Sequence, residues 1–210
     1  EMPRGPEDEA RENIDRMLEA AGWAVQDYDR YDPGVPEHGI AVREYPFESG
    51  EADYLLVVDR EAVGVLEAKS EGTTLGGVSE QSARYATSEP KHIPFVERPL
   101  PFVYESTGVE TNFRDLRDPE PRARGVFHFH EPDTLAGRIE QANSLRYRLQ
   151  LMPPIHHGTL RDCQREAIAK LERSFAGNHP RSLVQMATGS GKTFMAVTEC
   201  FRLLKYAKAH

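Results

Sequence analysis

One short segment constrains what this chain can fold into more than any other. An apolar run at 183–186 is followed by Ala187-Thr188-Gly189-Ser190-Gly191-Lys192-Thr193. A strand, a glycine-rich turn and a helix in this order form a phosphate-binding loop, in which backbone N–H groups surround the phosphate oxygens. We therefore predict a strand at 182–187, a helix from Lys192 onward, and an ATP site. Lys192 would bind the β- and γ-phosphates, the Thr193 hydroxyl would bind Mg²⁺, and the remaining contacts would come from Thr188, Gly189, Ser190 and Gly191.

The loop departs from the general pattern at its first position, where Met186 replaces glycine. Superfamily 2 helicases and translocases often carry another residue there, and the segment resembles their motif I. Upstream, residues 160–168 are similar to the short adenine-reading segment of such motors, which implies that Gln164 pairs with the base. Without the resemblance, a solvated glutamine on an amphipathic helix is the simpler interpretation. Because no acidic Walker B segment follows before His210, we expect only the beginning of a RecA-like motor domain.

A second group of chemically suitable residues lies in the first half of the chain. Asp53 precedes the apolar run 54–58, and a second apolar run at 63–66 leads into Glu67 and Lys69. Side chains alternate between the two faces of a strand, so Glu67 and Lys69 share one face. Two such runs joined by a short turn predict an antiparallel hairpin.

The loop of this hairpin decides whether Asp53 joins them. A two-residue loop at 60–61 would turn Asp53 to the opposite face, because a shift of one residue exchanges the faces of a strand. A three-residue loop would pair Asp59 with Val63 and Asp53 with Lys69, whose Cβ atoms would then lie about 5 Å apart. We therefore predict the three-residue loop or an equivalent β-bulge.

Phosphodiester hydrolysis gives this trio a chemical purpose. Two carboxylates, Asp53 and Glu67, can hold Mg²⁺, with the Ala68 carbonyl as a further ligand. The nearby Lys69 can position water or stabilise developing negative charge. Spacing alone leaves a second interpretation open, a surface ion-pair network on a half-exposed hairpin. A predicted helix at 78–88 places Gln81 and Tyr85 on one face, since they are four residues apart.

Together these segments resemble the restriction (motor) subunit of type I restriction-modification enzymes. The resemblance implies a PD-(D/E)xK nuclease fold, an α/β class with a mixed β-sheet flanked by helices, followed by the start of a RecA-like helicase domain. Ala52 stands where the family has proline. The matching segments are Ala52-Asp53-Tyr54-Leu55-Leu56, Gly64-Val65-Leu66-Glu67-Ala68-Lys69, Gln81-x-x-x-Tyr85, Pro101-Phe102-Val103-Tyr104-Glu105-Ser106-Thr107-Gly108, Phe129-His130-Glu131-Pro132 and the phosphate loop.

The resemblance also implies roles and partners. Asp53 and Glu67 become metal ligands, Lys69 the catalytic lysine, and Gln81 and Tyr85 a helix pair that assists the site. The expected activity is Mg²⁺-dependent cleavage of double-stranded DNA coupled to ATP-driven translocation, in a complex with methyltransferase and specificity subunits. Two alternatives remain open, a non-catalytic module that docks DNA or partners in an ATP-dependent remodelling protein, and a type III-like restriction subunit.

Composition narrows the class of protein further. The net charge is −8, with 21 acidic and 8 basic residues up to residue 90, so a simple DNA-coating protein is disfavoured. The sequence contains no run of about 18 apolar residues, so it predicts no membrane span. Two cysteines form no disulfide framework, which favours a cytoplasmic location. We predict a nuclease-like domain at 1–151, a linker at 152–159 and a motor segment at 160–210.

Overall fold

The protein is described by a computed structural model that covers residues 6–75, 80–156, 158–177, 179 and 181–209. The chain forms two compact units. Unit 1 comprises Glu1–Arg117 and Pro121–Ala142, and unit 2 comprises Asp118–Glu120 and Asn143–His210. The predicted domain limits at 151 and 160 stay a prediction, because the two units are defined by compactness alone.

Unit 1 is built on a seven-stranded mixed sheet whose spatial order is the order of the strands in the sequence. The first and second strands pair in parallel, as do the fourth and fifth, and the other neighbours are antiparallel. The predicted α/β class with a mixed sheet is confirmed. The strands are β1 Trp23–Asp27, β2 Gly39–Phe47, β3 Gly50–Val58, β4 Glu61–Ala68, β5 Phe102–Ser106, β6 Thr111–Asp115 and β7 Arg124–Val126.

Helices cover both faces of this sheet. On one face lie α1 (Pro6–Ala20) and α3 (Pro132–Ile139), and on the other lies α2 (Glu80–Thr87). The core beneath α1 and α3 includes Ile14, Leu18, Tyr54, Leu66, Tyr104, Phe113 and Leu135. The core beneath α2 includes Val42, Phe47, Leu55, Val65, Tyr85, Ala86 and Val103. The predicted start of the second helix at 78, with the glycines at 76 and 77, lies outside the described residues.

The first helix follows from apolar spacing. Ile14 and Leu18 are fully buried at a separation of four residues, the repeat that places side chains on one face of a helix. Gly22 follows the helix with φ +86°, a left-handed conformation that suits glycine after a helix C-terminus. The chain can therefore turn at once into β1, which aligns α1 over the sheet.

The regular secondary structure of unit 2 is helical in its described residues. It contains α4 (Leu145–Gln150), α5 (Asp162–Ala176) and α6 (Lys192–Arg202), followed by a π-helical turn at Leu203–Ala207. The predicted strand at 182–187 is wrong, since these residues form no β-ladder. A strand needs a neighbour to satisfy its backbone groups, and the described part of unit 2 supplies none. No helix in the described residues of the chain is long and apolar enough to cross a membrane.

Candidate functional site

The hairpin of β3 and β4 sets the geometry of the first candidate site. Val58 pairs with Glu61 across a two-residue turn, in which Asp59 and Arg60 both have positive φ angles of 49° and 71°. Positive φ at both central residues is the form of tight turn that matches the twist of antiparallel strands. The predicted three-residue loop, with Asp59 paired to Val63, is therefore wrong.

The predicted alternative, a β-bulge, is present in β4. Ala62 pairs with Val57, but the next pair along the ladder joins Gly64 to Leu56, so Val63 is an extra residue. Beyond the bulge Leu66 pairs with Tyr54, and continuing the register by one residue sets Glu67 opposite Asp53. The two carboxylates thus share the sheet face that α2 covers, with Asp53 opposite Glu67 rather than Lys69.

Both oxygens of Asp53 accept hydrogen bonds. The Ala68 backbone N–H donates to Oδ2 at 2.8 Å, and the Arg11 guanidinium donates to Oδ1 through Nη2. Arg11 reaches Asp53 from α1, and its Nη1 lies 3.6 Å from Oε1 of Glu44. The Asp53 side chain is therefore only 13% exposed, and the Arg11 guanidinium already lies beside it.

Glu67 stands in contrast to its neighbour. Its side chain is 1% exposed, and neither carboxylate oxygen accepts a hydrogen bond from the described residues. The Lys69 ammonium lies 3.5 Å from Oε2 as an ion pair. Burial raises the pKa of Glu67 to about 7, the Asp53 charge acts in the same direction, and Lys69 opposes both. A buried carboxylate with unused oxygens is the kind of group that a cation satisfies.

A chain of hydrogen bonds connects this pair to α2. Lys69 donates from Nζ to Oε1 of Gln81 at 3.1 Å, and Gln81 Nε2 lies 3.5 Å from the hydroxyl of Tyr85. Tyr85 is buried and stacks on Phe47, with ring centroids 5.8 Å apart. The structure thus brings together all five residues predicted for the nuclease site and fixes the lysine between a carboxylate and an amide.

Sequence reasoning missed two residues at this site. Arg11 contacts Asp53 from a position 42 residues away, and no local pattern announces such a contact. Glu105 of β5 pairs in register with Glu67, is 5% exposed, and accepts a 2.7 Å hydrogen bond from Ser82 Oγ. The strand alternation of 102–106 would have placed Glu105 on the site face, had the parallel pairing of β4 with β5 been known.

The donor set bears on metal binding. No group of three or more His, Cys, Asp or Glu side chains in the described residues is placed to hold a metal ion. Asp53 and Glu67 offer two carboxylates, and the unused oxygens of Glu67 fit a divalent cation. The contact that Ala68 makes with Asp53 is through its N–H, so a metal bond from its carbonyl stays a prediction.

The second candidate site is the glycine-rich turn of unit 2. Gly189 and Gly191 have φ angles of +77° and +80°, and α6 begins at Lys192. Lys192 Nζ donates to the carbonyls of Met186 and Ala187 at 3.3 Å each, so the ammonium lies over the turn. Thr188 and Thr193 are exposed. The turn therefore presents its lysine at the N-terminus of a helix, as a phosphate-binding loop does.

Gln164 holds this turn against α5. Its Oε1 accepts from the Arg161 N–H at 2.9 Å, and its Nε2 donates to the Ser190 and Gly191 carbonyls at 3.0 and 3.2 Å. The side chain is 3% exposed. A Cβ at Gly191 would lie 2.4 Å from Gln164 Nε2, so any other residue there would have to displace the Gln164 amide as well as adopt a strained φ. The role of Gln164 in adenine recognition stays a prediction.

Comparison with known proteins identifies the family. Residues 29–139, more than half of the chain, match the family model described as Type I restriction enzyme EcoKI endonuclease subunit second domain. The chain belongs to the type I restriction enzyme endonuclease subunits. The resemblance found in the sequence is confirmed. Residues 157–210 of this family member also match the model of the Type III restriction enzyme, res subunit.

Two individual relatives of this restriction subunit show how much of each protein the chain matches. The type I restriction enzyme EcoKI endonuclease subunit of Escherichia coli (strain K12) is 25% identical over 249 residues, which cover 95% of this chain and 21% of that protein. A fragment structure assigned to the HsdR subunit of a type I restriction enzyme from Vibrio vulnificus YJ016 is 26% identical. It covers 99% of this chain and 39% of that one, with a TM-score of 0.47. The chain thus spans about a fifth of the curated relative's length.

Proposed function

We propose that unit 1 is a Mg²⁺-dependent DNA endonuclease domain of the PD-(D/E)xK type, within a type I restriction subunit. The observation that carries this proposal is Glu67, whose buried carboxylate has two unused oxygens beside Asp53 and Lys69. A buried carboxylate without hydrogen-bond donors destabilises a fold, and a bound cation would remove that cost. Asp53 and Lys69 beside Glu67 give this carboxylate the further groups that a metal-dependent nuclease needs.

Each residue then has a chemical task. Asp53 and Glu67 would hold Mg²⁺, which when bound supplies an acidified water and polarises the phosphate. Lys69, two residues after Glu67, would stabilise negative charge that develops on the phosphate oxygens. Gln81 fixes the Lys69 ammonium from α2, and the Tyr85 hydroxyl lies behind Gln81. The lysine is thereby oriented before DNA arrives, which is the requirement for electrostatic stabilisation.

We propose further that unit 2 carries the first nucleotide-binding elements of a RecA-like motor. Lys192 would bind the β- and γ-phosphates of ATP, Thr193 would bind the accompanying Mg²⁺, and Gln164 would contact the adenine. The positive φ of both loop glycines supports this assignment, since the loop must curl backbone N–H groups around phosphate. In the complete subunit we propose ATP-driven translocation of double-stranded DNA, in a complex with methyltransferase and specificity subunits.

Calorimetric titration of Mn²⁺ into the chain tests the nuclease proposal, because Mn²⁺ occupies Mg²⁺ sites and its binding does not depend on DNA. We expect binding in the parent that is lost in Asp53→Ala and in Glu67→Ala. Glu51→Ala is the matched control, since Glu51 is an exposed carboxylate of the same strand as Asp53. Binding that survives both site substitutions, or no binding at all, would reject a metal-dependent nuclease site here.

A second candidate function is a non-catalytic module that docks DNA or a partner. It is favoured by the state of Asp53, both of whose oxygens already hold protein donors. In that case the two carboxylates, Arg11 and Lys69 form a closed ion-pair network. The same titration separates the two functions, because a docking module would show no Mn²⁺ binding while Asp53→Ala would still destabilise unit 1.

A further inference from the structure

Arg11 occupies a special position at the carboxylate pair. Its Nη2 donates to Oδ1 of Asp53, while the other Asp53 oxygen is held by the Ala68 N–H. Its Nε is buried and has no hydrogen-bond partner in the described residues. A guanidinium prefers to engage a carboxylate with two parallel N–H groups, and here it uses only one. The contact between Arg11 and Asp53 is therefore incomplete.

Charged side chains already surround the carboxylate pair without a metal. Asp53 and Glu67 are acidic, Lys69 and Arg11 are the cations beside them, and Glu105 of β5 lies in register with Glu67. A divalent ion bound to the two carboxylates would lie next to the Arg11 guanidinium. Like charges a few ångströms apart repel strongly in a partly buried site. The ion and Arg11 in its present place are therefore competing cations.

An alternative partner for Arg11 is already within reach. Glu44 Oε1 lies 3.6 Å from Arg11 Nη1, and the Glu44 side chain is 64% exposed. Rotation of the guanidinium toward Glu44 would release Asp53 while keeping Arg11 paired. Because Glu44 is solvated, it can accept this cation at little desolvation cost. In its single position Arg11 thus already lies between two carboxylates, with Nη2 on Asp53 and Nη1 near Glu44.

We propose that Arg11 is a displaceable counter-ion of the metal site: it neutralises Asp53 when no divalent ion is bound and moves to Glu44 when one binds. This inference rests on the proposed metal-dependent nuclease function. Arg11 would then be an internal competitor that weakens divalent-ion affinity. The competing possibility is a purely structural tie between α1 and β3.

The sign of the change in Mn²⁺ affinity distinguishes the two roles. We expect Arg11→Ala to tighten Mn²⁺ binding roughly three- to tenfold, because a competing cation is removed. A structural tie predicts weaker binding, since Asp53 would lose its orientation. Arg11→Gln keeps side-chain length and polarity without charge, and it provides the same test should the alanine variant unfold. Arg16→Ala is the charge-matched control, because Arg16 is exposed on the same helix and bonds to Asn13 and the Glu12 carbonyl.

Glu44 gives a second, independent readout. Glu44→Gln should weaken Mn²⁺ binding in the parent more than in the Arg11→Ala background, because the alternative position matters only when Arg11 is present. Equal effects in the two backgrounds would reject the movement. If Mn²⁺ binds in the parent and is lost in Asp53→Ala, but Arg11→Ala leaves affinity unchanged or weaker, the inference alone is wrong. If no variant binds Mn²⁺, the metal-dependent function fails with it.

Discussion

Glu67 lies opposite Asp53 because Val63 bulges out of β4. If β4 paired regularly from the turn, with Val63 opposite Leu56, Leu66 would lie opposite Asp53 and Glu67 would face the core beneath α1. The bulge therefore decides whether Asp53 and Glu67 share a face. Bulges beside functional sites commonly re-aim a side chain in this way.

Deletion of Val63 should leave Mn²⁺ binding intact. The deletion removes the extra residue of the bulge, so Gly64 can still pair with Leu56 and Glu67 can still lie opposite Asp53 on the same face. Val63→Ala keeps the bulge and should also bind Mn²⁺ normally, at a loss of about 2 kcal/mol in the free energy of unfolding. Urea unfolding and Mn²⁺ titration of the two variants provide the comparison. Loss of Mn²⁺ binding in the deletion, while the variant stays folded, would contradict this register.

The pH dependence of Mn²⁺ binding should report on Glu67. Because the pKa of this residue is raised to about 7, protons compete with the ion below that pH, and affinity should fall about tenfold per pH unit. Lys69→Met removes the charge that opposes this shift, so the decline should begin at a higher pH. Lys91→Met, which removes an exposed lysine paired with Glu48, should leave the profile unchanged. Coincident profiles for Lys69→Met and the parent would argue against the ion pair.

The two loop glycines should differ in their tolerance of alanine. The Cβ of Gly189→Ala would meet no atom within 4 Å. This variant should therefore lose only about 1 kcal/mol in the free energy of unfolding, because of its positive φ. Gly191→Ala has the same backbone strain and also a Cβ 2.4 Å from Gln164 Nε2. We expect an additional loss of about 1–2 kcal/mol, because Gln164 must leave its bonds to the loop carbonyls. Thermal unfolding measures both variants.

A double-mutant cycle identifies the cause of that difference. Combining Gln164→Ala with Gly191→Ala should give less destabilisation than the sum of the single changes, while the same combination with Gly189→Ala should be additive. Additivity in both pairs would show that the close approach of Gln164 is not the source.

Glu199 should make unit 2 less stable at alkaline pH. Its side chain is 4% exposed, and burial with the nearby Glu172 charge raises its pKa from 4.5 to about 7, against the opposing effect of Arg202. The folded state therefore binds the proton more tightly, so stability is greatest below pH 4.5 and is lost as the pH rises through 7. Glu199→Gln should be more stable than the parent by about 2 kcal/mol at pH 8 and similar at pH 5.

Urea unfolding at these two pH values measures the effect. Glu166→Gln serves as the control, since Glu166 is an exposed carboxylate of the same unit that pairs with Lys170 at 2.7 Å. A pH profile of Glu199→Gln parallel to that of the parent would contradict the assignment.

The elements that the sequence predicted well carry strong local signals. The buried positions of α1 recur every four residues, and the helix predicted from Lys192 onward is present as α6. The strand β1 was missed because only Trp23 is fully buried and the other four residues are half-buried, so no alternation appears. The helical segment after Glu131 is divided into α3 and α4, and Ser144 Oγ accepts the Tyr147 N–H to cap the second helix.

The residues of the candidate nuclease site also differ in how far the sequence predicts them. Strand periodicity groups Glu67 with Lys69, and helical spacing groups Gln81 with Tyr85. Their roles in a nuclease site are predicted only by the resemblance to type I restriction subunits. The sequence predicts a three-residue loop or a bulge if Asp53 is to share a face with Glu67. It does not place the bulge at Val63, because that position depends on the shape of the turn. The contacts of Arg11 and Glu105 depend on how α1 and β5 cross or pair with distant strands. Such relationships are properties of the tertiary fold, and one sequence contains no local record of them.

The sheet of unit 1 has its seven strands in the order in which they are synthesised. Each strand pairs with the one made just before it, so every pairing closes a loop between neighbours in sequence, and such local topology favours rapid folding. The residues of the proposed nuclease site lie between Asp53 and Tyr85, and Arg11 precedes them. A ribosome releasing the chain would therefore deliver Arg11 and the five predicted residues before Glu105 of β5. Folding from the N-terminus can complete the site on a partial sheet, which the later strands then extend.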